Sequence, residues 1–549
     1  MYKVCIKAAG RGSRNRYAQR ANKALLPVDG MAAMSRIINK FSAEVEVVIP
    51  VGHNAQLIKD FVSIAHSDRK IVFVDVDRYE GKGSGPGYSL LCCKDMLQCP
   101  FVFFACDTLV SEDVPEPTEN WIGVASVPQS KDYLVAEVVD GGVTRLFDKA
   151  DEDTLLKAGV DCDQIRKSAF IGLAAVRDYE AFWDGLENDT TLVKGELQVA
   201  NGLNTLIDGG LSTREFTWFD IGTDLRYEQA KQQLDSNPAL PKPDEFIYFQ
   251  NDYVIKYFAD STRAGNRVER AELLRGAVPE VEKSTDNFYA YRFLPARTIG
   301  QITDVSMFRR FLDFCQTHLW QRVELSDCDR QKFRMACQEF YWNKTHKRLD
   351  MFCKQTEIAD RANTINGDLV PGASELLDMV DWELLFDGIA VRFHGDPQPE
   401  NVLVTDAGRF CLIDWREDFA GILEYGDIYY DFAKIYHALL VSHEVIQKEE
   451  YRVHAENGHV EFNFMVKNNL LDFTEVFESF IEECGFDLYK VRLLSALIYT
   501  NICPLHHHPY NLLLYYLGRY TLFNVLNEYD GINNRTDRVI PSGKGCYCE

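Results

Sequence analysis

Asp396, Asn401 and Asp414 stand in the stretch F-H-G-D-P-Q-P-E-N-V-L-V (393–404) and the C-L-I-D-W that follows it (411–415). An aspartate in such a loop can accept a proton from a substrate hydroxyl. An asparagine and a second aspartate supply hard oxygen ligands for the magnesium that neutralises ATP phosphates. Four residues separate Asp396 from Asn401, and Asp414 closes an apolar, strand-like run at 409–413. That spacing puts a base and two metal ligands around one loop–strand junction. Singly, Asp and Asn in loops are turn residues; jointly they argue phosphoryl transfer.

The chain opens with a second group of this kind. A short apolar run, Val4–Ala8, ends in A-A-G-R-G-S-R (8–14). Small residues at Ala9, Gly10 and Gly12 let the backbone approach a base or phosphate closely, and successive N–H groups there can form an anion nest. Arg11, Arg14, Arg16, Arg20 and Lys23 fall within thirteen residues of an otherwise acidic chain, a local patch suited to a triphosphate. The stretch S-G-P-G-Y-S-L (84–90) offers a second glycine turn, at Gly85, opening a helix. Asp107 follows an apolar strand at 100–106, at the strand end where open α/β sheets bind ligands. Asp220, in W-F-D-I-G-T-D (218–224), is a second carboxylate that can share one magnesium with Asp107.

These residues need elements to hold them. The 549 residues exceed one core, so several domains are expected. Strand patterns at Tyr2–Lys7, Val45–Pro50, Ile71–Val76 and Pro100–Cys106 alternate with helical ones at Met31–Phe41 and Asn54–His66, and further strands fall within Ile122–Val139. Such alternation predicts an α/β sheet, mostly parallel. Three prolines in D-S-N-P-A-L-P-K-P-D (235–244) mark a boundary. Beyond it a hairpin is expected over 246–259, turning at Gln250–Asp252, then a helix over about 267–276. From 305 the pattern is mainly helical. We therefore expect a first domain at 1–235, a linker at 236–243, a small lobe at 244–303 and a large lobe at 304–549, with a polar, disordered tail from Asn533.

The net charge of -24 disfavours nucleic acid and anionic membrane as partners. No apolar run reaches the length of a membrane span, and no signal peptide precedes the first strand. The fifteen cysteines then read as reduced thiols of a cytoplasmic protein. Cys92–Cys93 and Cys546–x–Cys548 lack a matched second pair for zinc. The run His506–His507–His508 reads as surface or pocket packing. The aromatic residues Trp320, Tyr341, Trp342, Trp382, Trp415, Tyr515 and Tyr516 are expected mainly in the core, with a cation–π cage for a quaternary amine as the alternative.

Taken together, the N-terminal motifs resemble the sugar-nucleotidyltransferase superfamily over about residues 1–235, with a Rossmann-like, GT-A-like sheet. The resemblance implies Ala9, Gly10, Gly12, Arg14 and Gly85 on the nucleotide, Lys23 on the phosphates at the reacting centre, and Asp107 with Asp220 on magnesium. It further implies Lys149, in L-F-D-K-A (146–150), and Glu196, in G-E-L-Q-V (195–199), on the phosphorylated substrate. The implied reaction is attack of a phosphomonoester oxygen on the α-phosphate of a nucleoside triphosphate, releasing pyrophosphate. The pattern departs from the family at Lys7, Asn22, Ala32–Met34, Asp148 and Ala150. The short domain is more similar to phosphocholine cytidylyltransferases than to the longer hexose-phosphate enzymes.

The C-terminal motifs resemble the choline-kinase and aminoglycoside-phosphotransferase family, a protein-kinase-like α+β fold, over about 244–530. The H-x-D-x-x-x-x-N-x-L and I-D-W pattern is matched without a gap, and G-D-I-Y-Y-D-F-A (426–433) follows, with Asp427 and Asp431 in structural roles. The resemblance implies Asp396 as base, Asn401 and Asp414 as metal ligands, and His394 as orienter of the loop. Lys256, in Y-V-I-K-Y-F (253–258), is the candidate for the ATP phosphates; an edge-strand lysine is the alternative, and Glu269 or Glu272 its acidic partner. The expected whole is a magnesium-dependent, bifunctional enzyme. Its kinase half phosphorylates a small, choline-like alcohol with ATP. Its other half transfers a nucleotidyl group from CTP or UTP, for capsule, lipopolysaccharide or lipid decoration. A sugar kinase paired with a sugar-1-phosphate transferase, and a non-catalytic nucleotide sensor in one half, are the alternatives. A homo-oligomer is compatible with all of them.

Overall fold

The computed structural model describes residues 2–235 and 242–533. The tail beyond 533, most of the expected linker and the pair Cys546–x–Cys548 lie outside the described residues. Two compact units emerge, one of Met1–Ala264 with Glu282–Phe293, the other of Gly265–Val281 with Leu294–Glu549.

The first unit is built on a nine-stranded mixed sheet. In spatial order its strands are Ile71–Asp75, Glu46–Val51, Lys3–Lys7, Phe101–Ala105, Ala169–Val176, Trp121–Ala125, Ser212–Glu215, Gly142–Asp148 and Leu134–Val139. The first four run parallel, with Lys3 level with both Glu46 and Phe101. Val4, Cys5 and Ile6 are fully buried, as a strand covered on both faces must be. The helix Ala55–Ala65 buries Ile58, Phe61, Val62 and Ala65, one stripe of a 3.6-residue period. The helix expected from Met31 starts only at Ala33. Met31–Ala32 instead pairs with Pro27–Val28 around Asp29 and Gly30, both left-handed, which is the Asp-Gly hairpin turn.

A second, four-stranded antiparallel sheet belongs to this same unit, in the order Glu245–Gln250, Tyr253–Phe258, Phe288–Arg292, Val281–Ser284. Its first two strands form the expected hairpin, turning through Asn251 and Asp252 with left-handed backbone at both. Phe246, Tyr248 and Gln250 are buried while Ile247 and Phe249 are exposed, the alternation of a half-covered strand. The covered face, with Ile255, Tyr257 and Phe288, joins the core formed by Phe61, Val62, Ala65 and Leu25 of the first sheet's helices and loops. Phe61 lies 4.9 Å from the Tyr248 ring and 5.9 Å from Phe288. The Tyr248 and Tyr257 hydroxyls donate to the carbonyls of Leu25 at 2.7 Å and Arg20 at 2.5 Å. Packing thus does not divide the chain at 235.

The second unit is mainly helical, with long helices at Val305–His318, Lys344–Thr356, Ile428–Leu440, Asn468–Glu483, Leu488–Ile502 and Tyr510–Asn533. Asp327–Gln338 passes through a π turn at Glu339–Asn343 into Lys344–Thr356. Three short strands, Arg297–Thr298, Val402–Val404 and Phe410–Leu412, form a small antiparallel sheet, and the hairpin of the last two lies between Asn401 and Asp414. Among the described residues no helix is long and apolar enough to cross a membrane, and the described cysteines are free thiols.

Phe61→Ala removes the ring that both sheets of the first unit share. It is expected to cost ~3–5 kcal/mol. A guanidinium melt followed by far-UV dichroism checks this, with both sheets lost in one transition.

Candidate active sites

In the first unit, Lys23 and Asp107 meet. Lys23 Nζ lies 2.7 Å from Asp107 Oδ2. Burial alone would raise the Asp107 carboxyl; the Lys23 charge and hydrogen bond, with Arg14, hold it below its ordinary value. Conversely burial presses the Lys23 ammonium down, and Asp107 lifts it above the usual lysine range. Asp220 is level with Thr108 on the paired strands Trp218–Asp220 and Thr108–Val110. Its carboxyl is pushed up by burial and by Asp107, against the Gly222 N–H and Arg226. A Cβ on Gly222 would sit 2.9 Å from Asp220 Oδ1 and 3.1 Å from Asp107 Oδ2. Both carboxylates therefore converge on one point, and only glycine leaves room there.

The glycine loop is fixed against this pair by residues that motif reading passed over. Asn15 Nδ2 donates to the Ile221 carbonyl at 3.0 Å, and the Ile221 N–H to the Asp107 carbonyl at 3.1 Å. Asn22, noted only as a departure, accepts from Ala24 N and donates to Ala8 and His53 carbonyls at 3.1 and 3.0 Å. Its polar side chain was the available signal: at 1% exposure it must be bonded. Ala9 accepts from His53 N at 2.9 Å. Gly12 is left-handed, and a Cβ there would meet Lys23 Cγ at 2.8 Å. The basic patch divides. Arg11 pairs with Glu80, Arg16 with Asp224 and Glu228, and Arg20 with Asp244. Arg14 and Lys23 are the members whose charge acts on Asp107.

Gly85, Lys149 and Glu196 form a neighbouring group. A Cβ on Gly85 would lie 2.8 Å from Glu196 Cβ, and Ser84 O accepts from Leu197 N at 2.7 Å. Asp148 is pushed up by burial, with Lys149 and Lys194 opposing and Glu196 adding to it. Gly10 is exposed at the loop tip.

In the second unit the catalytic-type loop hangs on a buried carboxylate. Asp431, at 0% exposure, accepts from His394 N at 2.8 Å, Gly395 N at 2.6 Å and Trp320 Nε1 at 3.0 Å. Burial still pushes it up to about 6. His394 is buried and lowered to about 3. Its ring is therefore neutral, and Nδ1 accepts from Asp396 N at 3.2 Å, the orienting role expected of it. Asn401 Nδ2 donates to the Asp396 carbonyl at 2.9 Å, and Ile413 N to the Asn401 carbonyl at 2.8 Å. Asn401 and Asp414 are thus held at adjacent ends of one hairpin, Asp414 in left-handed backbone. Arg267 lies 3.5 Å from Asp414 and 3.2 Å from Glu417. Asp427, also buried, accepts from Tyr341 OH and Ile389 N.

Lys256 is 2% exposed on Tyr253–Phe258, level with Ile247 and Tyr289 on its two neighbours, so it is interior to its sheet rather than on an edge strand. Glu269 and Glu272, its suggested partners, are both on the exposed face of their helix, and Glu272 pairs with Arg275. The buried charges of that helix are Arg267 and Arg270. Four cations near Asp396 escaped the sequence reading: Lys344, Arg348, Arg416 and Lys434. Lys434 Nζ lies 2.8 Å from Asp396 Oδ1. The histidines 506–508 are exposed, and Trp320, Tyr341, Trp415, Tyr515 and Tyr516 are core residues.

Among the described residues no three His, Cys, Asp or Glu side chains group as a metal site. The oxygen pairs Asp107 with Asp220 and Asn401 with Asp414 nevertheless suit magnesium, which commonly takes one or two protein carboxylates and completes its shell with phosphate and water. The raised Asp220 carboxyl beside Asp107 is the observation that favours a cation there.

Residues 266–457 match the family model described as phosphotransferase enzyme family. That segment is a phosphotransferase-family domain. Solved structures are similar to part of the chain. A UDP-glucose pyrophosphorylase is 17% identical, covering 42% of this chain and 98% of its own, with a TM-score of 0.35. The CTP:phosphocholine cytidylyltransferase of Streptococcus pneumoniae is 16% identical, covering 43% and 100%, at 0.34. The inositol-1-phosphate CTP transferase of T. maritima is 13% identical, covering 44% and 98%, at 0.33. No curated protein matches the chain.

Lys7, beside this first site, is half-buried, and burial lowers its ammonium to about 8 against the opposing pull of Cys5, Asp107 and Cys106. A lysine whose folded value lies below its unfolded one weakens the fold while protonated. That cost is full below pH 8 and fades as pH rises towards the unfolded value. Lys7→Met should therefore melt higher than the native chain at pH 7, with the difference closing towards pH 10. Paired thermal melts across that range check the sign.

Proposed function

We propose that the chain is a bifunctional transferase. Its phosphotransferase-family domain phosphorylates a small alcohol with ATP, and its first unit couples the resulting phosphomonoester to a nucleotide from CTP or UTP, releasing pyrophosphate. The observation that supports this most is that both halves place oxygen ligands beside a lysine: Asp107 and Asp220 converge beside Lys23, and Asp396, paired with Lys434, is tied through its carbonyl to Asn401, which Ile413 links to the neighbouring Asp414.

In the kinase half, Asp396 accepts the acceptor's hydroxyl proton as its oxygen attacks the γ-phosphorus of ATP. His394 and Asp431 hold the loop that presents it. Lys256 binds the ATP phosphates. In the transferase half, Gly10, Gly12 and Arg14 receive the nucleotide phosphates, with Ala9 and Gly85 at the base. Lys23 stabilises charge at the α-phosphate, and Lys149 with Glu196 orients the phosphomonoester. Magnesium, held by Asp107 and Asp220 and by Asn401 and Asp414, would neutralise phosphate charge in each half. The two reactions run in the order opposite to the motifs along the chain.

A choline-like acceptor fits the second site poorly. The side chains gathered near Asp396 are cationic, and the Phe340 and Tyr430 rings that could face a quaternary amine carry Lys344 instead, 4.1 and 5.7 Å from their centres.

Asp396→Ala should reduce ATP-dependent phosphorylation ~10³-fold or more and leave nucleotidyl transfer to a supplied phosphomonoester intact. Asp107→Ala should do the reverse. The assay supplies magnesium, ATP, CTP and UTP with a panel of alcohols and identifies products by mass spectrometry. Loss of both activities in either variant would argue for one catalytic half and one nucleotide-sensing half.

A further inference from the structure

Four cationic side chains gather where the acceptor of the phosphotransferase-family domain must lie. Lys434 is bonded to Asp396. Arg416 donates its backbone N–H to the His394 carbonyl at 2.9 Å, and a Cβ on Gly395 would meet Arg416 Cβ at 2.5 Å, so its side chain springs from beside the loop of Asp396. Lys344 and Arg416 both stand over the Phe340 ring, at 4.1 and 4.9 Å from its centre. Phe340 packs edge-on against Tyr430 at 4.7 Å, on the helix that also carries Lys434. Arg348 lies one turn beyond Lys344 on its helix, a like-charge spacing that is unfavourable by itself.

Among the described residues this group is only partly neutralised: Asp396 pairs with Lys434, and Glu417, Asp396 and Asp418 act on Arg416. Among the described residues Lys344, Arg348 and Arg416 form no ion pair. Glu417, which acts on both Lys344 and Arg416, is itself 3.2 Å from Arg267. The buried Arg416 Nε has no hydrogen-bond partner. The Lys344 ammonium is held well below the usual lysine range, by burial first and then by Arg416, Lys434 and Arg348. Clustered, half-buried cations that outnumber their counter-charges are costly, and a bound anion relieves that cost. The π turn at Glu339–Asn343 sits directly before Lys344, where such turns often mark function.

We propose that the acceptor alcohol carries an oxyanion, a carboxylate or a phosphate-type group, bound by Lys344, Arg348 and Arg416 while its hydroxyl faces Asp396. This rests on the reading of Asp396 as the base. The phosphoryl transfer is unchanged in form: the hydroxyl oxygen bonds the γ-phosphorus, its proton passes to Asp396, and ADP leaves. The product then bears its original anion and a new phosphate.

The test pairs alcohols that differ in charge: glycerol against glycerate and glycerol 3-phosphate, ethanolamine and choline against serine and 2-hydroxyethylphosphonate. ADP formation by the full chain is measured for each. The charged members are expected to be the ones turned over, and the ranking of glycerate against glycerol 3-phosphate tells carboxylate from phosphate. Lys344→Met should raise the acceptor KM about 30-fold or more with the ATP KM unchanged, and Lys344→Arg should restore most of it. Should folding be in doubt, thermal melts decide. Lys344→Met is expected to melt no lower than the native chain, and inorganic phosphate or glycerate should stabilise the native chain more than the variant. Preference for choline or glycerol overturns the proposal. So does a rise in the ATP KM alone, which would assign the cations to the nucleotide, and so does the absence of both turnover and stabilisation by any anion. If Asp396→Ala keeps full turnover, the reading of the base fails instead.

Discussion

Asp431 is a carboxylate taken out of water and Asp107 one mostly withdrawn from it, and much of what surrounds each answers the demand of such a charge for donors or cations. Asp431 meets it with two successive backbone N–H groups and an indole. Those two N–H groups belong to the residues just before Asp396, so satisfying the buried acid also fixes the loop that presents the reactive one. Asp107 meets it with Lys23, which anchors the segment following the glycine loop. In each half, a requirement of burial does the positioning that the chemistry needs.

The second constraint is that a half-covered sheet must be seated. The strands 245–258 and 288–292 bury one face rich in Phe and Tyr, and an apolar face of that size has to be covered. It is seated on the helices of the nine-stranded sheet. The hydroxyls of Tyr248 and Tyr257 then fall on the carbonyls of Leu25 and Arg20, on either side of Lys23. The strand that carries Lys256 and the turn that carries Lys23 are thereby parts of one packed body, although they belong to different motifs in the sequence.

Much of the architecture was legible along the chain. Continuous apolar runs marked the parallel strands, because strands covered on both faces leave no polar alternation. Asn251–Asp252 marked a hairpin. The helix expected from Met31 was misplaced because Asp29–Gly30 is itself a hairpin turn, which the apolar period of the following residues masked. The acidic partner suggested for Lys256 was unreadable for a similar reason: on 261–273 the inward stripe carries Arg267 and Arg270, and periodicity alone does not say which face is covered.

Sequence by itself determined the candidate residues that lie close together along the chain: the loop of Asp396 and Asn401 with Asp414, the glycine loop with Lys23, the strand-end Asp107. Their spacing is local, and local geometry follows from turn and strand chemistry. Only the tertiary structure decided what surrounds them. Lys344, Arg348, Arg416 and Lys434 come from two helices and a loop, about ninety residues separating the first from the last, and nothing in their separate sequence contexts says that they gather, with Lys434 paired to Asp396. Charge acts through space, so the cationic surroundings of Asp396 could appear only once the chain had folded.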